Sequence, residues 1–224
     1  MQDNAPPASA PEGNLRDKAY RAFTDGLLSR ALRPGQFISQ RELVEMTSFP
    51  LGAIRELIPR LEAEGLIRTI PQRGMQIAQV DLSLIQQAFQ FRLFLEREAI
   101  ALFAATVSDQ ELARIRGAHQ EMLDRAEAGQ DPALLEEAQA VDWGFHDRII
   151  DALGNAIISN NYRVNSIKIR LIRQAQSRLE SNLVAPVMRD HMQVIAALER
   201  RDPAAAVETL SRHIRNAQMR AMGL

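Results

Sequence analysis

Residues Ser39 to Val80 carry the pattern that most restricts the fold. Two helical stretches, SQRELVEMT and LGAIRELIPRLEAEG, precede two extended runs, LIRTI and MQIAQV, separated by Pro71-Gln72-Arg73-Gly74. Short helices joined by a tight turn at Thr47 to Pro50 and followed by a two-stranded wing describe a winged helix-turn-helix. Ser39 can cap its helix, with Glu42 three residues on completing a capping box, and Leu43, Val44 and Met46 supply the buried side. The next helix points Ile54, Leu57, Ile58 and Leu61 inward and Arg55, Glu56 and Arg60 outward, and stops at Gly65, a natural C′ residue. Pro59 removes an amide donor inside it and is expected to kink it. Ahead of these, Leu15 to Ala31 repeats apolar residues near a 3.6 period and ends at Arg33-Pro34-Gly35, an opening helix. Helix-turn-helix shapes serve protein as well as DNA recognition, and the wing favours DNA. In that reading Arg41, Arg55 and Arg73 reach phosphates, Arg55 is placed for a guanine edge, and Gly74 gives the hairpin tip a positive φ and close approach to a groove.

The remainder of the chain is expected to be helical. With 224 residues, 46% hydrophobic and 25% charged, it can bury two modest cores. Aromatic residues are only 5%, and the apolar positions are mostly Leu, Ile and Ala three and four apart, so the fold class is mainly α with strands confined to the wing. The absence of cysteine excludes disulfides, thiolate zinc sites and thiol catalysis. Residues 1–14 have neither a basic start nor an apolar run, which predicts a disordered arm rather than a signal peptide or spanning helix, and a cytoplasmic protein without membrane partners. The net charge is −1, and residues 1–80 carry 10 Lys+Arg against 9 Asp+Glu, so DNA binding needs a focused basic face.

From Asp81 the helical period continues through Thr106. Ser108 caps a second helix running to Gly129, and Asp131-Pro132 opens a third that reaches Leu153. Further helices follow over Ala156 to Leu179, Pro186 to Arg201 and Pro203 to Met222, giving an all-α bundle of about six helices. Asp142 and His146 are four apart and leave one face of one helix, while His191 and His213 come from the two last helices. Brought inward, they offer three imidazoles and a carboxylate to a divalent ion such as zinc, nickel, manganese or iron. The alternative makes the histidines polar bundle positions and puts Asp142 on a solvated stripe. His119, with no comparable partner, reads as a surface residue. Arg92 is flanked by Phe91, Leu93, Phe94 and Leu95, and a buried guanidinium needs an anion: either a carboxylate ligand or an internal acid such as Glu96. Arg163, Lys168, Arg170 and Arg173 either ring an anion pocket or form a solvated face.

These residues resemble the GntR family of bacterial transcription regulators, in its FadR-type branch with an FCD ligand-binding domain. The carriers are Arg33-Pro34-Gly35, Arg41-Glu42-Leu43, Ile54-Arg55-Glu56-Leu57, Arg60 to Leu66 and Arg73-Gly74. In the second half they are Arg92 with Leu95-Glu96, Asp142 with Phe145-His146, Gly154-Asn155, His191, Asp202 with Ala206, and His213. The resemblance implies residues 15–80 as a winged DNA-binding domain and residues 81–224 as an FCD-like effector-binding and dimerisation domain, similar in its six helices to the VanR-like subgroup. It further implies a homodimer on double-stranded operator DNA, Asp142, His146, His191 and His213 as metal ligands, and Arg92 as the contact to a carboxylate-type effector. Family members usually open the recognition helix with Ser-Arg-Thr-Pro, where this chain has Pro50, Leu51, Gly52 and Ala53. Leu51 thus replaces the usual base-reading arginine and can contact a thymine methyl.

The leading expectation is a metabolite-responsive, metal-containing transcription regulator, a repressor in its simplest form and not an enzyme. A metal-dependent hydrolase is the rival, since an Asp/His₃ site can activate water; a second carboxylate acting as base is not evident near the ligands. In a third reading the ion itself is the signal.

Overall fold

The computed structural model describes residues 15–129, 133–175 and 181–223. The expected arm at residues 1–14, the Asp131-Pro132 opening and the end of the helix expected to reach Leu179 lie outside them. The chain divides into two compact units between Gln79 and Val80.

The first unit contains α1 (Leu15–Leu28), β1 (Phe37–Ile38), α2 (Gln40–Thr47), α3 (Leu51–Ala63), β2 (Ile67–Ile70) and β3 (Gly74–Ile77). Its core joins Ala19, Phe23 and Leu27 of α1 to Leu43 of α2, to Ile54, Leu57 and Leu61 of α3, and to Ile77 of β3. The capping box at α2 is complete: the Glu42 amide donates to Ser39 Oγ at 3.2 Å, and the Ser39 amide to Glu42 Oε2 at 2.7 Å. At the other end Ser48 turns left-handed, with φ 58°, and its amide returns to the Val44 carbonyl at 2.9 Å, which makes the tight turn into α3.

Several expectations here are corrected. The sheet has a third strand outside the wing: β1 pairs antiparallel with β3, Phe37 opposite Gln76, while β2 pairs with β3 from Ile67 opposite Ile77 to Ile70 opposite Gly74. Two residues are too short to show an alternating pattern. Gly74 has φ +86°, and a Cβ there would lie 3.1 Å from the Ile38 carbonyl oxygen, so its side-chain-free surface serves the β1–β3 approach. Met46 is exposed rather than buried, and α1 ends at Leu28, leaving Ala31 exposed beyond it. The helix α3 runs unbroken through the exposed Pro59. Arg60 folds back onto α1 instead of projecting outward, with Nη1 3.1 Å from Asp17 Oδ1 and the guanidinium 3.7 Å from the Tyr20 ring centroid.

The second unit contains six helices among the described residues: α4 (Leu82–Thr106), α5 (Asp109–Ala128), α6 (Leu134–Asp151), α7 (Ala156–Ala175), α8 (Val184–Glu199) and α9 (Pro203–Ala221), with a 3-10 turn at Ser181–Leu183. Asp81, Ser108 and Asp202 each accept an amide hydrogen bond at the start of α4, α5 and α9. α4 packs on α9, α7 and α6, and α5 on α8. Ala99, Ile100, Ile149, Ile150, Ile195 and Leu210 fill the centre. Burying each of these isoleucines and leucines contributes roughly 1.5–3 kcal/mol, and together they fix the helix faces that carry the polar cluster described next. No described helix is long and apolar enough to cross a membrane.

Candidate metal centre

Three helices of the second unit deliver four buried ligand atoms to one point. α6 supplies Asp142 and His146 one turn apart, α8 supplies His191 and α9 supplies His213; one ligand atom from each lies within 4.8 Å of all the others. His146 Nε2 is 3.3 Å from Asp142 Oδ1, His191 Nε2 is 3.5 Å from the same oxygen, and His191 Nε2 is 3.2 Å from His213 Nε2. Asp142 Oδ1 and His146 Nε2 are buried and have no hydrogen-bond partner. Buried lone pairs left unsatisfied are costly, and three imidazole nitrogens with one carboxylate oxygen suit a divalent ion of zinc type. The residues present therefore fit a metal. Asp142 is buried, which removes the solvated-stripe alternative.

An outer set of side chains orients the ligands. His146 Nδ1 lies 2.6 Å from Glu96 Oε2, and Glu96 Oε1 accepts from Arg92 Nε and from the Tyr162 hydroxyl, each at 2.6 Å. Asp142 Oδ2 accepts from Arg173 Nη1 at 2.6 Å. His213 Nδ1 faces Asp190 at 3.5 Å, an ion-pair contact too long for a good hydrogen bond. His119, expected on the surface, is 2% exposed; its Nδ1 is 2.7 Å from the Ile115 carbonyl oxygen and its Nε2 3.1 Å from His191 Nδ1. Metal-binding histidines generally engage their second nitrogen in this way.

The electrostatics follow from burial set against these contacts. Burial raises the Asp142 carboxyl, but His146 and Arg173 outweigh it and hold it well below the carboxylate range. Burial likewise raises Glu96, and Arg92, His146 and Tyr162 pull it down to about 2. Burial lowers His213 to about 4, puts His191 well below its ordinary value and lowers His119. Burial and Arg92 push His146 down as well, yet Glu96 and Asp142 leave it raised. Glu96 is the second carboxylate that the hydrolase reading lacked. It is held ionised by three donors, which disqualifies it as a proton acceptor near neutral pH.

A stability prediction follows for the protein in chelator. His213, His191 and His119 have folded values below the 6.5 of the unfolded chain, so between pH 6.5 and about 4 the unfolded chain binds more protons and stability is lost as pH falls. His146, raised when folded, acts in the opposite sense and is outnumbered three to one. The urea midpoint should be lower at about pH 5 than at about pH 7; an equal or higher midpoint in acid would contradict this charge assignment.

Beside the cluster lies a cavity of about 70 Å³ lined by Arg92, Gln139, Arg173, His213 and Arg220 and by Phe89, Ile169, Leu183, Val187 and Ala217. Arg92 is bound to Glu96, the internal acid, and still presents a buried Nη2 with no hydrogen-bond partner. The basic run on α7 splits. Arg163 pairs with Asp147 and Asp151 at 2.9 and 2.6 Å, whereas Arg170 and Arg173 each place a guanidinium 4.9 Å from the Trp143 ring centroid, and Arg173 reaches Asp142.

In the first unit the six residues expected at DNA are all exposed. Leu51, 40% exposed, is the first residue of α3, and a Cβ on Gly52 would meet nothing within 4 Å. Arg55 Nε donates to Gln40 Oε1 at 3.3 Å, Arg41 Nε to Glu45 at 3.0 Å, and the Arg73 guanidinium lies 5.9 Å from the Phe37 ring, next to Gly74.

Comparison with known proteins agrees with both halves. Residues 15–77 match the bacterial regulatory proteins of the gntR family and residues 87–216 match the FCD domain. The Nta operon transcriptional regulator of Aminobacter aminovorans is 28% identical over 146 residues, covering 65% of this chain and 67% of that protein. The Uxu operon transcriptional regulator of Escherichia coli is 26% identical over 218 residues, covering 88% and 83%. Among solved structures, E. coli McbR/YncC superposes with a TM-score of 0.75 at 17% identity over 94% of this chain and 98% of that one, a likeness of fold. With a GntR winged helix-turn-helix ahead of an FCD domain, this chain belongs to the FadR-type branch of the GntR family and is a transcription regulator rather than an enzyme.

Proposed function

We propose that this regulator is a metal-containing repressor that responds to a small carboxylate, with its six-helix second domain of the VanR-like kind. The observation that carries the reading is the junction of an unsatisfied, buried Asp/His₃ cluster with a cavity lined by Arg92, Arg173 and Arg220. Asp142, His146, His191 and His213 would hold the ion, zinc in the first instance, and a bound divalent ion supplies a Lewis-acidic position for a carboxylate oxygen. Arg92, which lines the cavity and whose buried Nη2 has no hydrogen-bond partner, supplies a charge-assisted donor for the same ligand. At roughly 10–15 Å³ per water-sized position, the cavity takes about five to seven non-hydrogen atoms, the size of a short carboxylic acid. Residues 81–224 serve effector binding and pairing into a homodimer, and residues 15–80 of each copy read one half-site of a double-stranded operator.

Arg41 and Arg73 anchor phosphates, Arg55 reads a base edge, and Leu51, Gly52 and Gly74 allow close apolar and backbone approach. Mobility shifts against the protein's own upstream region test the DNA half. Wild type should give a salt-sensitive, sequence-dependent shift, and Arg55→Ala should bind about 5- to 150-fold more weakly, the 1–3 kcal/mol of a base contact. The same affinity in the variant would remove Arg55 from the interface. Trp143, the chain's one tryptophan, lies beside Asp142 against Arg170 and Arg173, so its fluorescence should change as short acids bind. Should DNA affinity follow free metal without any acid present, the ion is the signal and the carboxylate reading is withdrawn.

A further inference from the structure

We propose that His119 is a positioning residue of the metal centre: through His191 it decides whether the imidazole nitrogen facing the ligand cluster is bare or protonated. The inference rests on the metal reading above, but its geometry stands in the protein alone. His119 belongs to α5, a helix that supplies no ligand, and its ring is held edge-on against Phe145 and His191 with centroids 5.1 Å apart in both pairs.

Proton placement passes along a chain with one consistent solution. The Ile115 carbonyl oxygen can only accept, so at 2.7 Å His119 Nδ1 must carry the hydrogen. A neutral imidazole has one N–H, which leaves His119 Nε2 as a lone pair. That lone pair is 3.1 Å from His191 Nδ1, which must therefore be the donor. His191 Nε2 is then bare, at 3.2 Å from His213 Nε2 and 3.5 Å from Asp142 Oδ1. The reverse order would aim a second lone pair at the Ile115 oxygen and turn an N–H of His191 into the cluster, where it blocks an ion.

His146 reaches the same orientation by another route, since its Nδ1 faces the Glu96 carboxylate. A carboxylate orients its histidine and adds negative charge, whereas His119 orients His191 and adds none. Without an acceptor at residue 119, the Nδ1–H of a fully buried His191 loses its partner. The tautomer that instead donates from Nε2 to His213 becomes competitive.

Two variants and one spectrum test this. Zinc affinity is measured on the full chain by competition with a chromophoric chelator, for wild type, His119→Phe and His119→Gln. The phenylalanine keeps bulk and loses the acceptor, and affinity should drop about 10- to 100-fold, the usual loss for an outer-shell partner. The glutamine can accept from His191 through Oε1 and should stay within about threefold of wild type, a rescue that a purely packing role would not give. Imidazole ¹⁵N shifts of the metal-free wild type should show His191 protonated at Nδ1. A His191 protonated at Nε2, or a folded His119→Phe that binds zinc as wild type does, overturns the proposal. Should His119→Phe fail to fold, the wild-type spectrum and the glutamine variant still decide. If wild type takes up no metal, the metal reading fails, while the tautomer of His191 continues to report on the relay.

Discussion

His191→Ala is expected to lower divalent-metal affinity by more than about 100-fold, exceeding the cost of losing an outer-shell partner, and to remove the stabilisation that metal confers. His191 is completely buried, and its Nε2 lies within 3.5 Å of both Asp142 Oδ1 and His213 Nε2, so no neighbouring group can replace it. In wild type, zinc at about 100 times its dissociation constant stabilises the folded state by about 2.7 kcal/mol. For a unit of this size that raises Tm by about 5–10 °C, and chelator should reverse it. The variant should show neither the rise nor the reversal, and its purified form should hold no stoichiometric metal by elemental analysis. Unchanged metal content in His191→Ala would falsify the assignment of this cluster. Alanine at His146 should behave alike, whereas alanine at Arg92 should leave the metal and weaken carboxylate binding, which separates the ion from its ligand.

The winged half was legible because its signals are local. Ser39 with Glu42, the apolar spacing of Ile54, Leu57 and Leu61, and the Pro71 to Gly74 turn each act within a few residues. β1 was not, since Phe37 and Ile38 form a strand only when β3 offers them its free edge. In the second unit the four-residue spacing placed Asp142 and His146 together, the last two helices offered one histidine each, His191 and His213, and the family resemblance implied all four as ligands. Of the outer set, Arg92 as a buried guanidinium with Glu96 as its internal acid was already one of two readings of the sequence, whereas His119 was placed on the surface. His119 shares a helical stripe with Leu112, Ile115 and Met122, and Arg92 and Glu96 share one with Phe89, Ala99 and Phe103. The period therefore marked all three as inward. His119 alone was read by its type instead of its phase, whereas burial follows phase once a partner is present. Those partners come from other helices, as His191 of α8 does for His119 and Tyr162 of α7 for Glu96, and pairings between helices leave no mark on local spacing.

Glu96→Ala should be the most destabilising single change in the second unit, at about 3–5 kcal/mol, the range for removing one member of a buried ion pair. The carboxylate is fully buried and accepts from Arg92, Tyr162 and His146, so its loss strands three donors together. The guanidinium is the costly one, because at 4% exposure Arg92 can neither shed its proton nor reach water. Urea denaturation of the metal-free protein measures the loss directly. Pairing the change with Arg92→Met separates stranded charge from lost packing: the double variant should recover most of the stability, since replacing both members of a buried pair by apolar groups is often near neutral. It should not recover metal affinity, because His146 Nδ1 remains without its carboxylate. Stability restored while affinity stays low would show that Glu96 neutralises Arg92 and, independently, aims His146. A double variant as unstable as Glu96→Ala would mean that the loss lies with Tyr162 and His146, and that the Arg92 charge is balanced elsewhere.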